Sequence, residues 1–217
     1  MNPDNQLPSA PYVQPQSDMP QPEMITPSDQ PDPWWKNLLS IGWFFIVVLF
    51  FVFTILTFVM RTYQVVGSSM EPTLSSGDRL IISKLGRTFS LVKGDSYIPS
   101  RGDVVVFHNP INPETQYIKR IVGLPGERVR VENGKITVYN DDHPSGFNPD
   151  ESVDADFVYT TGSIDSTVPE DHIFVVGDNR APDESVDSRN SLGTVPADEI
   201  EGVLFLRIFP IGSAKFF

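Results

Sequence analysis

Arg128-Val-Arg-Val-Glu-Asn-Gly-Lys-Ile-Thr-Val-Tyr139 is the stretch that decides the fold. Two runs alternate polar and apolar residues, which is the period of a half-buried strand. Between them stands Asn133-Gly134, the pair that suits a type I′ turn because both positions need positive φ. The stretch predicts an antiparallel hairpin. Working outward, Arg79–Ser83 (RLIIS) and Asp103–His108 (DVVVFH) are short β-branched runs that follow Gly-Asp pairs. They read as strands entered from turns. His172–Asn179 (HIFVVGDN) and Gly202–Pro210 (GVLFLRIFP) predict two more. Long amphipathic helical patterns are missing, so residues 62–217 are expected to form a mainly β, antiparallel domain with hairpins. Residues 140–169, rich in Asp, Ser, Gly and Pro, are expected to be an acidic surface excursion.

Upstream, Leu38–Met60 runs for 23 residues without a charge, between Lys36 and Arg61. As a helix it would be roughly 34 Å long, enough to cross a bilayer with some tilt. Trp34 and Trp35 stand where an interfacial aromatic belt would lie. The run is too long for a cleaved export signal and lacks the polar face of a buried core helix. Residues 36–61 are therefore expected to be one transmembrane anchor. Counting positive charges on either side gives a margin of one, which does not orient it. Residues 1–35 carry nine of the twenty prolines and five acidic residues in front of Lys36. They are expected to be a disordered, acidic tail.

Net charge is −12, and the basic face that nucleic-acid binding requires is absent. Without cysteine, disulfides, thiolate catalysis and Cys-ligated metal centres are excluded. His108, His143 and His172 are scattered and form no HExxH pattern. No metal or organic cofactor is expected.

Three clusters can carry chemistry. Gly67-Ser68-Ser69-Met70-Glu71-Pro72-Thr73-Leu74 follows the anchor closely. It is a turn by composition and also a possible seat for a serine nucleophile. No histidine has a setting that suggests a base, which leaves a Ser–Lys arrangement. A lysine base must lose its proton near neutral pH, so it should come from an apolar strand that desolvates it. Lys119, in Tyr117-Ile118-Lys119-Arg120-Ile121-Val122-Gly123, fits; it also fits a solvated strand lysine. Gly177-Asp178-Asn179-Arg180 with Ser185-Val186-Asp187-Ser188-Arg189 is either a polar turn with local ion pairs or a support for that lysine.

In order and character these clusters resemble the boxes of bacterial type I signal peptidases, in particular the single-span members. The matching segments are SMEPTL, GDRLIISKL, RGDVVVFHNP with YIKRIVGLPGE, and GDNR with SVDSRNSLG. The resemblance covers residues 63 to 217. It implies a membrane-anchored serine endopeptidase that removes signal peptides of the Ala-x-Ala type from exported preproteins. Ser69 resembles the nucleophile and Lys119 the general base. Ser185 matches the serine that positions the lysine. Asp187 with Arg189 and Asp178 with Arg120 match structural ion pairs. Tyr63, Val65, Val66, Met70, Leu74, Tyr117 and Ile118 match positions that line the substrate pockets. The Ser69 backbone N–H would be one oxyanion donor. Some members take the second from a hydroxyl two residues earlier, where this chain has Gly67. The resemblance also implies a single pass through the cytoplasmic membrane. The N-terminus would be cytoplasmic, and the catalytic domain outside against the leaflet, in the vicinity of the export translocon. Two rivals remain: a non-catalytic, membrane-tethered assembly factor of the same fold, and a Ser–Lys regulator that cuts itself.

Overall fold

The computed structural model describes residues 34–153 and 159–217. The expected tail, apart from its last two residues, and the tip of the expected excursion lie outside them. The chain divides at Ile46 into two units. The boundary falls within α1 (Trp34–Phe58).

The apolar run forms that helix. From Leu38 to Ile55 its mean hydropathy is 2.7 and none of it is buried, with Trp43, Phe50 and Phe53 each about two-thirds exposed. A helix apolar on every face and covered on none has the length and composition to cross a membrane. Thr54 is no exception, since its hydroxyl donates to the Phe50 carbonyl at 2.8 Å.

After it come β1 (Met60–Gln64), β2 (Arg79–Ser83), α2 (Leu85–Lys93), β3 (Val104–His108), β4 (Gln116–Gly123), β5 (Arg128–Glu132) and β6 (Lys135–Tyr139). These are followed by β7 (Ile164–Thr167), β8 (His172–Val176), β9 (Val195–Pro196), β10 (Ile200–Phe209) and β11 (Lys215–Phe216). The large sheet has the order β1-β2-β10-β3-β4-β8-β9, with β11 also pairing β10, and the small one is β6-β5-β7. Every strand pair is antiparallel. The fold is thus mainly antiparallel β with one apolar N-terminal helix, as the sequence predicts.

The hairpin forms at the expected turn. Asn133 and Gly134 have φ of 52° and 80°, and Glu132 pairs with Lys135 across them. β3 is buried on both faces. Val105 and Phe107 enter one core cluster with Ile121, Ile173 and Val175. Val104 and Val106 enter a second with Leu80, Ile82 and Leu204. That is why this strand reads as an unbroken apolar run instead of alternating. A third cluster joins Val122, Phe174 and Val176 of the large sheet to Val129, Val131, Ile136 and Val138 of the hairpin.

Two elements depart from the sequence reading. Within the expected excursion, β7 pairs with β5 along its whole length and Phe147 bridges to Val138. That stretch therefore completes the small sheet as well as looping from it. Phe147 and Ile164 pack on the third cluster and Val168 is part of it, a signal diluted by the surrounding Asp and Gly. The second departure is α2, a helix the periodicity did not announce.

Candidate active site

Ser69 lies in the turn that follows β1. Two residues from the cluster itself anchor this turn: Met70 is 1% and Leu74 0% exposed, and both belong to the second core cluster. The chain closes on itself through Leu74 N–H to the Met70 carbonyl (2.8 Å) and Glu71 N–H to Ser68 (3.0 Å). Gly67, at φ 100°, takes the chain into the turn through a region other residues rarely enter. The apolar residues of the box bury and the hydroxyl remains half-exposed.

Lys119 arrives from β4, opposite Val105 of β3. Only 3% of it is exposed. Its Nζ lies 2.7 Å from Ser69 Oγ and donates at 2.9 Å to the carbonyl of Ile118. Burial pushes its pKa down from 10.5 to about 8, and the Arg189 guanidinium pushes the same way. The carboxylates of Asp187 and Asp178 pull it part of the way back. Keeping this amine desolvated costs on the order of 3 kcal/mol of folding energy at neutral pH, offset by the core around it. About a tenth of the molecules hold it neutral at pH 7. In that form the amine has a lone pair with which to accept a proton, and Ser69 Oγ lies 2.7 Å from it.

The Gly177–Arg189 segment holds the Ser69 turn from the other side. Asn179 N–H donates to the Ser69 carbonyl (3.0 Å) and its side chain donates to the Ser68 carbonyl (3.2 Å). Gly177 packs so closely that a Cβ there would overlap the Ser69 carbonyl and Ser185 Oγ. Asp178, 2% exposed, accepts two bonds from Arg120, which also donates to the Gly102 carbonyl at 2.7 Å. Asp187, fully buried, accepts from Gly177 N–H (2.9 Å) and from Arg189 Nε and Nη2 (2.9 and 2.8 Å). Burial alone would raise the Asp187 carboxyl, but the Arg189 guanidinium outweighs it and holds the pKa below the usual carboxylate range. Arg189 in turn donates to the Thr161 carbonyl at 3.1 Å. The buried Arg180 binds both oxygens of Asp150 at 2.9 and 2.8 Å.

Beside the pair opens a groove of about 210 Å³. Tyr63, Val65, Val66, Tyr117 and Ile118 line it together with Ser69 and Lys119. Met70 and Leu74, expected there, do not, because their side chains point into the core beneath the turn. A larger cavity of about 390 Å³ around Arg101, Asp103 and Arg120 does not include the pair.

Ser185 also departs from expectation. It is 4% exposed and sits beside Asp187. Its hydroxyl makes no hydrogen bond to Lys119 and turns instead toward the Asp187 carboxylate, which it helps to hold ionised. Lys119 is oriented instead by its own strand carbonyl and by Ser69. Asn179 and Gly177 are site residues to which the sequence reading gave no role, although both stand in the Gly-Asp-Asn-Arg box. Ser68, whose hydroxyl donates to Glu184 at 3.1 Å, was missed as well. Gly67 supplies no hydroxyl, and its N–H donates to Ser76 Oγ at 3.4 Å. His108 faces the Pro113 carbonyl at 2.9 Å and His172 that of Glu170 at 2.8 Å. His143 faces the Asn140 side chain at 3.3 Å. Among the described residues no three His, Asp or Glu side chains gather as a metal site would require.

The family model "Signal peptidase, peptidase S26" matches residues 38–209. Signal peptidase I P of Bacillus subtilis subsp. natto is 36% identical, over 76% of this chain and 86% of that protein. Probable signal peptidase I-2 of Synechocystis sp. is 36% identical over 80% and 74%. Signal peptidase I of Pseudomonas fluorescens is 32% identical over 77% and 71%.

Proposed function

Because the chain belongs to the signal peptidase family, peptidase S26, we propose that it is a serine endopeptidase that cuts signal peptides from preproteins with a Ser69–Lys119 dyad. The observation that carries the dyad is the 2.7 Å contact between a half-exposed serine hydroxyl and a lysine amine of depressed pKa. Neutral Lys119 takes the hydroxyl proton as Ser69 Oγ attacks the scissile carbonyl. The resulting ammonium gives that proton to the leaving amine. It then receives one from the water that hydrolyses the acyl-enzyme. The Ser69 backbone N–H is one donor to the oxyanion. The Asn179 side chain donates to the Ser68 carbonyl, the other end of the peptide unit that carries this N–H, and so constrains where it points.

The substrate binds extended in the groove, read at alternate residues as a strand is. Tyr63, Val65, Val66, Tyr117 and Ile118 fill most of that space, which favours small residues one and three before the cut, as in Ala-x-Ala. Residues 36–61 anchor the enzyme by a single pass through the cytoplasmic membrane. The N-terminus is cytoplasmic, and the β domain lies outside, where translocated preproteins emerge from the export translocon. The test of the function is depletion of the protein in its host. Precursors with uncut signal peptides accumulate in the membrane fraction and return to mature length when the full chain is restored. Normal processing throughout depletion would contradict it.

A further inference from the structure

α2 is built inside out. Leu85, Phe89 and Val92 recur at i, i+4 and i+7, one stripe along the helix. They are 55%, 65% and 83% exposed. No residue of α2 is buried. The inner side is polar or small: Gly86 abuts the Tyr97 ring. Arg87 turns to the Glu201 carboxylate (3.1 Å) and to the Asp198 carbonyl (3.2 Å). A helix that lies in water has the opposite arrangement, and a contiguous apolar stripe at a surface marks something that covers it.

Position and charge indicate what covers it. The N–H of Lys84, the residue before α2, donates to the carbonyl of Val59 at 2.8 Å, one residue past the end of α1. Met60 pairs with Ser83 directly behind. α2 therefore starts where the apolar helix stops. Around that junction Arg61, Lys84 and Arg87 surround the single buried carboxylate of Glu201 at 3.0, 3.0 and 3.1 Å. Lys93 lies over the Phe89 ring at 4.9 Å. Glu201 thus holds Arg61, Lys84 and Arg87 at the junction, and Lys93 stands exposed on α2 apart from them. Asp95 and Asp198 line the cleft between α2 and Tyr97.

We propose that α2 is an interfacial helix. Its Leu85–Phe89–Val92 stripe sits at the headgroup–acyl boundary of the bilayer crossed by α1, and Lys93 lies among anionic headgroups. The inference rests on reading α1 as the membrane span. The β domain is then held to the surface at two points, the chain end of α1 and the face of α2.

The chain has no cysteine, so single cysteines report position without background. Full-length Val92→Cys and Ile111→Cys carry an environment-sensitive fluorophore. They are reconstituted in vesicles of phosphatidylcholine alone or with phosphatidylglycerol. Retention in the vesicles through alkaline extraction reads α1 separately; loss of the protein at that step overturns the span and the proposal with it. In retained protein, the label at 92 is blue-shifted, shielded several-fold from aqueous iodide and quenched by lipid-borne spin labels. The label at 111 stays open to iodide. Lys93→Glu weakens the shielding at 92 in anionic vesicles by about fivefold in partition and leaves it unchanged in phosphatidylcholine. Retained protein whose label at 92 meets iodide as freely as that at 111 contradicts the proposal and leaves α1 standing. Shielding that appears only as the protein-to-lipid ratio rises also overturns it, because the cover is then a second copy.

Discussion

At the scale of single residues, the account depends on where protons sit. Lys119 has its pKa lowered to about 8, first by burial. As the proposed base, it accepts the Ser69 proton only in its neutral form. The rate of cleavage therefore rises with pH and levels off above about 8, and its acidic limb reports that amine. Lys119→Arg keeps the cation charged at every working pH and should be inactive. A pH–rate profile of a peptide substrate checks both, and a flat profile between pH 6 and 9 would deny Lys119 its role. Asp187 works the other way. Its folded pKa is depressed, so its contribution to stability is complete above the ordinary carboxylate value near 4 and is lost as pH falls through the lower folded value. Asp187→Asn leaves Arg189 buried without its counter-charge and should cost about 3 kcal/mol at pH 7. Urea unfolding at pH 7 and again near pH 3 measures the gap, which narrows at the lower pH.

At the scale of elements, what the sequence shows depends on whether a segment's local chemistry and its tertiary role agree. Asn133-Gly134 forms the turn its composition demands, and β4 supplies a buried lysine because apolar residues flank it. Met70 and Leu74 were misassigned for a related reason. They adjoin the nucleophile in sequence, but the turn needs anchors and takes its nearest apolar side chains for that purpose. α2 was illegible because amphipathic patterns are read as facing a core, and its apolar stripe faces outward. Ser185 fell in the expected box, yet its hydroxyl rests against Gly177 and Asp187, a geometry that spacing cannot specify. The contact between Gly177 and the Ser69 carbonyl is a rigid link between two elements far apart in sequence. Gly177→Ala should force the nucleophile's turn away from Lys119. A displacement near 1 Å there costs about a hundredfold in rate. Turnover falls while substrate binding changes less, and steady-state kinetics separate the two; an unchanged kcat would mean that the turn adjusts freely.

For the whole molecule, the proposed function places a substrate anchored by an apolar segment in the groove beside Ser69 and Lys119. On the proposed function, the groove's limited volume of about 210 Å³ sets the specificity. Replacing Ala by Leu immediately before the cut should nearly abolish cleavage, since steric exclusion rejects more strongly than the 1–3 kcal/mol typical of a mismatched methylene. The same change at the middle residue, which faces away, should be tolerated. A panel of preproteins cut in detergent and resolved by mass reads this, and efficient cleavage after leucine would move the pocket elsewhere. The central claim is the dyad, and its most direct test is single-turnover cleavage of one preprotein by the full chain beside Ser69→Ala and Lys119→Ala. The account predicts that the unaltered enzyme releases the mature protein and the Ser69→Ala variant none, while Lys119→Ala is slowed by about a hundredfold or more. Undiminished cleavage by either folded variant would contradict it.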